Sequence, residues 1–425
     1  MNRKLLLALI FGLPLTFAHA LRAAPPPPAN DIVLRIGLVR SFGGVKQVTV
    51  ATSSETLTLA AGRTGVIRMR GDAAESSSEP CVTVRPAAPD QVVTVQSSGR
   101  TAKDYRGSIE VSWKSGALQI VNVVRLEDYL LGVVPAEMPD SYPLEALKAQ
   151  AIAARTYAVR NLRKHLSKGY NLSDNHDCQV YLGASAEKPN ATRAVLDTQG
   201  IVLNYKGQVA DVMYSGDCGG VTQSYAENHP ARDLPYLCGV KEPEGIVHSC
   251  WEYRVALTDL SNALARAGIK DVGGLQSVRV ARTDSSGRVR DVKLVASTGS
   301  RVISYNQLNQ ALGGSLRSAL FVIEVLPDGA LLLKGRGRGH GAGLCQVGCK
   351  ALASPPYGYT HDRILAHYFP GTDLGGRTGS EIARLASGAM PKAGAGPLPQ
   401  TPNPPPSSPE PTELSLRVRV EAPRL

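Results

Sequence analysis

The stretch from Leu144 to Leu162 constrains the fold most, because its apolar residues recur every three or four positions, the spacing of one helix face. The stripe consists of Leu144, Leu147, Ala151, Ala154, Ala158 and Leu162. Ser141 and Pro143 suit the first turn of such a helix. Since half of the stripe is alanine, we expect the helix to pack close to its neighbour. The residues off the stripe are Gln150, Arg155 and Tyr157.

Short runs rich in branched residues lie on both sides of this helix and predict strands. DIVLRIGLV, QVTVAT and the alternating GSIEVSW precede it, and GIVLNY and QVADVMY follow it. The chain therefore predicts an α+β fold, with a mixed, β-rich core and a long helix after the Glu137 loop.

A smaller α+β unit is predicted as an insertion at about residues 255–334. TDLSNALARAG and NQLNQALG are typical of helices that end at glycine, and LQSVRVAR, RVRDVKLVA and RVISY are typical of strands. A last short helix, HDRILAHYF, should stop at Pro370. The main region spans residues 31–374.

The N-terminus has the pattern of an export signal. MNRK is basic, LLLALIFGLPLTFA is apolar, and AHA at residues 18–20 is a cleavage signature. The alternative, a membrane anchor, needs about 20 apolar residues, and this run is shorter. We therefore expect residues 1–20 to be a signal peptide and the mature chain to be secreted, in the periplasm or cell envelope. Residues 21–30 form a proline-rich linker, and residues 375–425 a flexible proline-rich tail.

Composition restricts the partners. The 425-residue chain carries a net charge of +11 but only 5% aromatic residues, which disfavours a single-stranded nucleic-acid binder. The positive charge suits an anionic cell envelope or simply serves solubility. The chain has seven cysteines, an odd number, and we expect a disulfide among Cys218, Cys238 and Cys250.

Glu137 is the first candidate for chemistry. It lies in GVVPAEMPD, an apolar, proline-flanked turn, where poor hydration raises the pKa of a carboxyl and suits it to act as a general acid. The alternative is an acidic residue near the N-terminus of the following helix, where the helix dipole favours negative charge.

Two glycine-rich loops hold further candidates. GRGRGHGAGLCQVG contains His340, which could orient a group or shuttle a proton, and Gln346, which could bind a hydroxyl or amide; a tight turn before a helix is the alternative. YSGDCGG contains Ser215 and Asp217, as site groups or in a disulfide-pinned loop. In NHDCQVY, His176 and Cys178 lack the three or four ligands of a zinc site, so His176 should be at the surface and Cys178 in a disulfide or buried.

The order of these segments resembles one family. RLEDYLLGVVPAEMPDSYPLEALKAQAIAARTYAVR, CQVY, CGG, PYL, GRGRGHGAGLCQVGCKALA and ILAHYFPGTDL look like stage II sporulation protein D. This resemblance covers about residues 31–374. It implies a lytic transglycosylase that cuts peptidoglycan glycan strands, preferring strands without stem peptides, or an amidase enhancer that binds the wall and helps an amidase.

The resemblance also assigns roles to residues. Glu137 matches the catalytic glutamate and Arg155 an arginine close to it, while His340 and Gln346 fall in the glycine-rich motif. With Tyr181 and Ser215, these residues are the candidate groove. Glu127 and Asp128, in RLEDYL, are expected in an exposed turn.

The chain departs from the family pattern at three points. SGD stands where the family often has His-Ser-Thr, and Arg338 where it often has an aromatic residue. Some relatives bind zinc through a His and two Cys before QVY, and here only His176 and Cys178 remain. We therefore expect no metal and no cofactor. The expected partners are peptidoglycan strands and a cell-wall amidase, with no nucleic acid and no membrane span.

Overall fold

The computed structural model describes residues 32–70, 73–74, 78–227, 229, 234–270 and 272–376. The predicted signal peptide (residues 1–20) and linker (residues 21–30) lie outside the described residues. So does the predicted tail from residue 377 onward. The described chain is a mixed α+β fold, as predicted.

Eight α-helices form within the described residues. In chain order they are α1 (Val39–Phe42), α2 (Leu126–Glu137), α3 (Leu144–Arg160), α4 (Pro189–Asp197), α5 (Leu257–Arg266), α6 (Tyr305–Ala311), α7 (Gln346–Ala353) and α8 (His361–Tyr368). The helices predicted from TDLSNALARAG, NQLNQALG and HDRILAHYF are α5, α6 and α8. None of the described helices combines the length and hydropathy that crossing a bilayer requires.

The strands in the described part form six sheets. They are β1 (Val33–Gly37), β2 (Gln47–Ala51), β3 (Thr56–Ala61), β4 (Val66–Arg70), β5 (Ala73–Ala74), β6 (Cys81–Val84), β7 (Val93–Gln96), β8 (Lys103–Tyr105), β9 (Ser108–Lys114), β10 (Ala117–Arg125), β11 (Leu172–Ser173), β12 (Ile201–Tyr205), β13 (Gln208–Val209), β14 (Tyr214–Ser215), β15 (Cys250–Val255), β16 (Leu275–Thr283), β17 (Val289–Ala296), β18 (Gly299–Ser304), β19 (Phe321–Val325), β20 (Leu331–Arg336), β21 (Leu344–Cys345) and β22 (Asp373–Gly376).

The sheets divide into those around the main core and those of the second unit. The main core has the orders β11-β1-β10-β9-β6, β5-β4-β3-β2-β7-β8 and β13-β12-β22, together with the short parallel pair β14-β21. The second unit has β15-β20-β19 and β16-β17-β18. Because β22 pairs with β12, ordered chain runs through Gly376, two residues into the segment predicted as tail.

Two hydrophobic cores account for this division. The larger contains residues from Leu34 to Leu237 and returns at the C-terminal helices α7 and α8. The smaller is formed by residues between Trp251 and Leu333, close to the bounds predicted for the inserted unit. The chain leaves the main core before β15 and re-enters it at β21.

Helix α3 is the centre of the main core. It contacts α2, α4, α7, α8 and β12, and its alanines are fully buried on several sides rather than along one stripe. The predicted close packing is therefore correct, but Gln150 and Arg155, which were placed off the stripe, are also buried. A helix surrounded by protein must satisfy every polar side chain internally.

Arg155 is satisfied by an ion pair inside the protein. Its Nε and Nη2 lie 2.8 and 2.7 Å from the two carboxylate oxygens of Glu127, and it donates to the carbonyls of Val195 and Ile201. The side chain is 1% exposed. Glu127 is therefore in the first turn of α2 and bound to α3, not in an exposed turn as predicted.

We expect Arg155→Ala to lower the free energy of unfolding by about 3 kcal/mol, because it leaves the Glu127 charge and buried carbonyls without a partner. Arg160→Ala is the matched control, since Arg160 is on the same helix and pairs with Asp211 nearer the surface. This control should cost less than about 1 kcal/mol. Denaturant unfolding measures both, and equal losses would contradict the assignment of Arg155 as an internal tie.

Candidate active site

Glu137 is the last residue of α2, not part of a turn. The apolar residues of α2 are buried, and the helix continues through Pro135 to the point where the Met138 N–H bonds to the Val134 carbonyl. Helix α3 begins seven residues later, at Leu144. Glu137 therefore lies at a helix C-terminus, where the dipole disfavours a negative charge, and it does not cap α3.

The carboxyl of Glu137 is half-buried and held by donors from three other segments. Its Oε1 accepts the Val180 N–H at 2.9 Å and the Tyr214 hydroxyl at 3.4 Å. The side chain of Gln346 also hydrogen-bonds the carboxyl. Since Oε1 already accepts two hydrogen bonds, Oε2 is the natural position for a proton.

Burial raises the pKa of Glu137 above its ordinary value, and this is the largest effect on it. The hydrogen bonds from Val180, Gln346 and Tyr214 and the nearby exposed His176 act in the opposite direction without cancelling it. The carboxyl is therefore easier to protonate than an exposed glutamate and remains hydrogen-bonded when ionised. Both properties suit a group that gives and then takes back a proton.

A chain of buried hydrogen bonds lies behind Glu137. The Tyr129 hydroxyl donates to the Gln179 Oε1 at 3.3 Å, and the Gln179 Nε2 donates to the Tyr214 hydroxyl oxygen at 3.0 Å. Gln179 also donates to the Ala154 carbonyl on α3. Because the Tyr214 oxygen accepts from Gln179, its own hydrogen points toward Glu137. Tyr214 thus has a fixed role as a donor.

Gln346 reaches the site from the N-terminus of α7. It is 6% exposed, and its Nε2 lies 3.5 Å from the Oε1 of Gln150 on α3. The residue just before it, Cys345, pairs in parallel with Ser215, and Leu344 pairs with Tyr214. The short β14-β21 pair therefore delivers both Tyr214 and Gln346 to Glu137.

Among the described hydrogen bonds, His340 binds the strand that carries Tyr214 and makes no contact with Glu137. Its Nε2 lies 3.0 Å from the Tyr214 carbonyl, and its Nδ1 accepts the Ala342 N–H at 3.0 Å. An accepting Nδ1 requires the neutral ring, and desolvation lowers the pKa of His340 accordingly. The orienting role that the sequence allowed for His340 fits this geometry better than proton transfer.

The glycines of this loop let two backbones approach. Gly343 has φ +70°, and a Cβ there would lie 2.1 Å from the Met213 carbonyl oxygen; at Gly341, with φ +75°, a Cβ would meet the Arg288 guanidinium. Side chains at these positions would push apart the loop and the β14 strand.

Ser215 and Asp217 both lie beside the site. The Ser215 Oγ is buried and has no hydrogen-bond partner among the described residues. Asp217 accepts hydrogen bonds from His248, from the Ser249 N–H and hydroxyl, and from the Gly219 N–H. Burial alone would raise the pKa of Asp217, but these donors hold it well below its ordinary value. Asp217 is therefore a loop-holding residue.

Tyr181 and Arg155 face the interior rather than an open groove. The Tyr181 side chain is buried, its hydroxyl donates to the Asn122 Oδ1 at 2.8 Å, and its ring packs against Tyr105 and Tyr129. Arg155 binds Glu127, as described above. Both supply the frame around Glu137, and neither offers a polar group to a ligand in this conformation.

The seven cysteines, all among the described residues, are unpaired in the structure. The disulfide predicted among Cys218, Cys238 and Cys250 is not formed in the structure; Cys218 is buried, and Cys238 and Cys250 are exposed. Cys218 instead faces Cys345, whose Sγ accepts the Cys218 N–H at 3.2 Å.

Sequence patterns missed several residues of this site. Tyr214 and Gln179 lay in segments quoted for other reasons, YSGDCGG and CQVY, and nothing in those segments indicated a chain of buried hydrogen bonds. The Val180 N–H, a backbone group, leaves no signal in side-chain chemistry. Only tertiary packing brings these three groups together around Glu137.

Comparisons with known proteins identify the family. Residues 114–205 match the family model described as stage II sporulation protein, and residues 239–343 match a domain of unknown function (DUF8618). Stage II sporulation protein D of Bacillus subtilis is 30% identical over 276 residues, 61% of this chain and 76% of that protein. This chain belongs to the stage II sporulation protein D family.

Two further relatives show the breadth of the similarity. An uncharacterized protein of Brachyspira hyodysenteriae is 32% identical over 274 residues, 64% of this chain and 72% of that protein. The amidase enhancer of Bacillus subtilis is 28% identical over 291 residues, 58% of this chain but only 40% of that longer protein.

The raised pKa of Glu137 predicts a definite dependence of stability on pH. Below the unfolded value of 4.5 its contribution to stability is fully present, and it is lost as the pH rises through the folded pKa. The Glu137→Gln variant has no titrating group at this position, so it does not lose this stability as the pH rises. Its free energy of unfolding should therefore improve relative to wild type as the pH rises from about 4 to about 7.

Glu145→Gln is the matched control with the opposite sign. Burial would raise the pKa of Glu145, but hydrogen bonds from His361 and Lys148 lower it from 4.5 to about 2. Its stabilisation is present above 4.5 and lost as the pH falls toward 2, so this variant should compare worst with wild type at neutral pH. Denaturant titrations at several pH values measure both; parallel curves for the two variants would contradict the assigned shifts.

Proposed function

We propose that this protein acts on the bacterial cell wall as an exported lytic transglycosylase, with Glu137 as its acid and base. The observation that carries the proposal is a half-buried carboxyl with a raised pKa that accepts hydrogen bonds from Val180 and Tyr214. The export signal pattern and the family membership support a place in the cell envelope.

The proposed reaction needs only one carboxyl. Protonated Glu137 gives its proton to the oxygen that bridges the N-acetylmuramyl and N-acetylglucosaminyl units, and the bond from that oxygen to the muramyl C1 breaks. Ionised Glu137 then takes the proton of the muramyl C6 hydroxyl as that oxygen bonds to C1. The products are a free N-acetylglucosaminyl hydroxyl and a 1,6-anhydro muramyl end, and no water is consumed.

Glu127 and Asp128, which precede Glu137 on the same helix, are unsuited to a hydrolytic partnership. A hydrolase of the inverting type places its carboxyls about 6.5–9.5 Å apart. Glu127 lies ten residues before Glu137 on the same helix, about 15 Å along its axis, and is bound to Arg155. Asp128, in the same first turn of α2, pairs with Arg125 at 2.6 Å. Both carboxylates are therefore held in ion pairs at the N-terminal end of α2, away from Glu137.

A cavity of about 720 Å³ beside the Tyr214 strand supports an anionic glycan as the ligand. It lies between the main core and the second unit, and its lining includes Met213 and His340, which adjoin or bind Tyr214. Its wall contains Arg290 and Arg317, together with Arg282, which pairs with Asp291 at 2.6 Å. Muramyl units carry a carboxylate in their lactyl group, which arginines bind well. We therefore assign this cavity to the neighbouring sugars of the strand.

Mass spectrometry of the products tests the proposal. Peptide-free glycan strands are incubated with wild type, Glu137→Gln and the control Glu145→Gln. Wild type and the control should release anhydro-muramyl ends, and Glu137→Gln should lose at least about 100-fold in rate, the typical contribution of a general acid or base. Equal product from wild type and Glu137→Gln would remove Glu137 from the chemistry. Hydrolysed, non-anhydro ends would replace the lyase by a hydrolase.

The similarity to an amidase enhancer supports a second candidate, a non-catalytic wall-binding protein that stimulates an amidase. The departures from the family pattern at Ser215, Gly216, Asp217 and Arg338 favour this second candidate. At position 338 the family often has an aromatic residue, whereas here Arg338 lies against Gly216. An enhancer would leave the glycan intact in both wild type and Glu137→Gln while raising the rate of an added cell-wall amidase. The same product analysis therefore separates the two functions.

A further inference from the structure

Four ligand-type side chains meet beneath the β14-β21 pair, separate from Glu137. They are Cys218, Glu242, His248 and Cys345, and one donor atom from each lies within 4.8 Å of all the others. Cys218 follows β14, Glu242 and His248 lie in the segment before β15, and Cys345 precedes α7. The four therefore come from three separate parts of the chain.

His248 is oriented as a metal-binding histidine is. Its Nδ1 lies 2.7 Å from the Asp217 Oδ1, and its Nε2 lies 3.0 Å from the Glu242 Oε2. A histidine that donates Nδ1–H to a carboxylate presents the Nε2 lone pair on the other side, as in carboxylate–histidine–zinc arrangements. Asp217 would thus fix the ring and strengthen it as a ligand.

Glu242 is a buried carboxylate with one oxygen left over. It is 4% exposed, and its Oε1 accepts the Tyr368 hydroxyl, while its Oε2 lies 3.0 Å from the His248 Nε2 without making a hydrogen bond of good geometry. A buried carboxylate needs a compensating cation, which is either the protonated His248 or a metal ion that replaces its proton. The Oε2 is the atom that faces the cluster.

Both sulfurs accept hydrogen bonds from backbone N–H groups. The Cys345 Sγ accepts the N–H groups of Cys218 at 3.2 Å and Gly348 at 3.3 Å, the latter from the first turn of α7. The Cys218 Sγ accepts the Gly220 N–H at 3.4 Å. Burial raises the pKa of the Cys345 thiol well above its ordinary value, so a bound metal ion would have to displace that proton, and the backbone donors would then stabilise the sulfur.

We propose that Cys218, Glu242, His248 and Cys345 bind one zinc ion. Zinc takes four such ligands in a tetrahedron at about 2.0–2.3 Å, so its donor atoms are roughly 3.3–3.8 Å apart, within the spacing of this cluster. Binding releases to solvent the two thiol protons and the Nε2 proton that His248 carries between Asp217 and Glu242. A site with four protein ligands has no open position and is structural rather than catalytic.

Charge around the cluster is partly balanced from the second unit. Two thiolates, the Glu242 carboxylate and a zinc ion leave one negative charge, and Asp217 adds a second. The buried Arg288 donates to the carbonyls of Cys218 at 2.5 Å and Val221 at 2.9 Å, and so places a positive charge beside the site. The ion would thereby also link the main core to the unit that carries Arg288.

The other group of possible ligands is weaker. His165, Asp177 and Cys178 provide three donors, but Asp177 is exposed and already pairs with His165 and Lys164. His176, which the sequence suggested beside Cys178, is not part of it. The expectation of no zinc rested on that segment alone, whereas the Cys218 cluster has no spacing that sequence analysis recognises.

Zinc content of the full chain tests the proposal directly. The protein is saturated with zinc chloride and dialysed, and the metal is counted by elemental analysis for wild type, Cys345→Ser, His248→Gln and the control Cys81→Ser, whose thiol is exposed and outside the cluster. Wild type and the control should hold about one zinc per chain, and the two ligand variants should bind at least about tenfold more weakly. Asp217→Asn, which keeps all four ligands, should bind about 10–100-fold more weakly.

Cobalt(II) gives a readout that needs no variant. In wild type it should produce thiolate charge-transfer bands and the intense visible bands of a tetrahedral site. Zinc held equally by wild type and both ligand variants, or no cobalt bands in wild type, would overturn the proposal. So would a Cys218–Cys345 disulfide, seen as a linked peptide and the loss of two hydrogens in the mass of protein exported to the periplasm.

Discussion

The short parallel pairing of Tyr214–Ser215 with Leu344–Cys345 is the interaction on which both sites depend. On one side it brings the Tyr214 hydroxyl and, through the next residue, Gln346 to the carboxyl of Glu137. On the other side it brings Cys345 to Cys218. His340 strengthens the pairing by binding the Tyr214 carbonyl. Two residues in each strand are too few to be stable alone, so the surrounding loops must hold them.

Helix α3 supplies the rigid support for this arrangement. Its alanines admit close neighbours on several sides, and Arg155 ties it to the first turn of α2 through Glu127. Helix α2 in turn carries Glu137 at its other end. The residue that the family resemblance placed near the catalytic glutamate thus acts on the position of α2, about 15 Å from the carboxyl along the helix axis. The polar side chains buried on α3 thus help to hold α2 in position.

How much of the fold and of the candidate site could be predicted depended on how far apart in the sequence the interacting residues lie. The helices and strands of the second unit followed from local periodicity and glycine stops, and the poor hydration of Glu137 followed from its apolar neighbours. Its position at a helix C-terminus was missed, because Pro135 and Pro139 are typical of turns. The burial of Arg155 and Tyr181 was missed because their partners, Glu127 and Asn122, are 28 and 59 residues away. The Cys218–Cys345 contact spans 127 residues, beyond any spacing rule.

The central claim is that Glu137 is held as a protonatable acid by burial and by donors that keep it oriented. A pH titration of ¹³C-labelled glutamate carboxyls by NMR, with Glu137→Gln used to assign the resonance, measures this property without a substrate. The account predicts a pKa above the ordinary 4.5 for Glu137, because desolvation outweighs its hydrogen bonds. A pKa at or below 4.5 would contradict the account, since burial would then not favour the protonated form of the carboxyl.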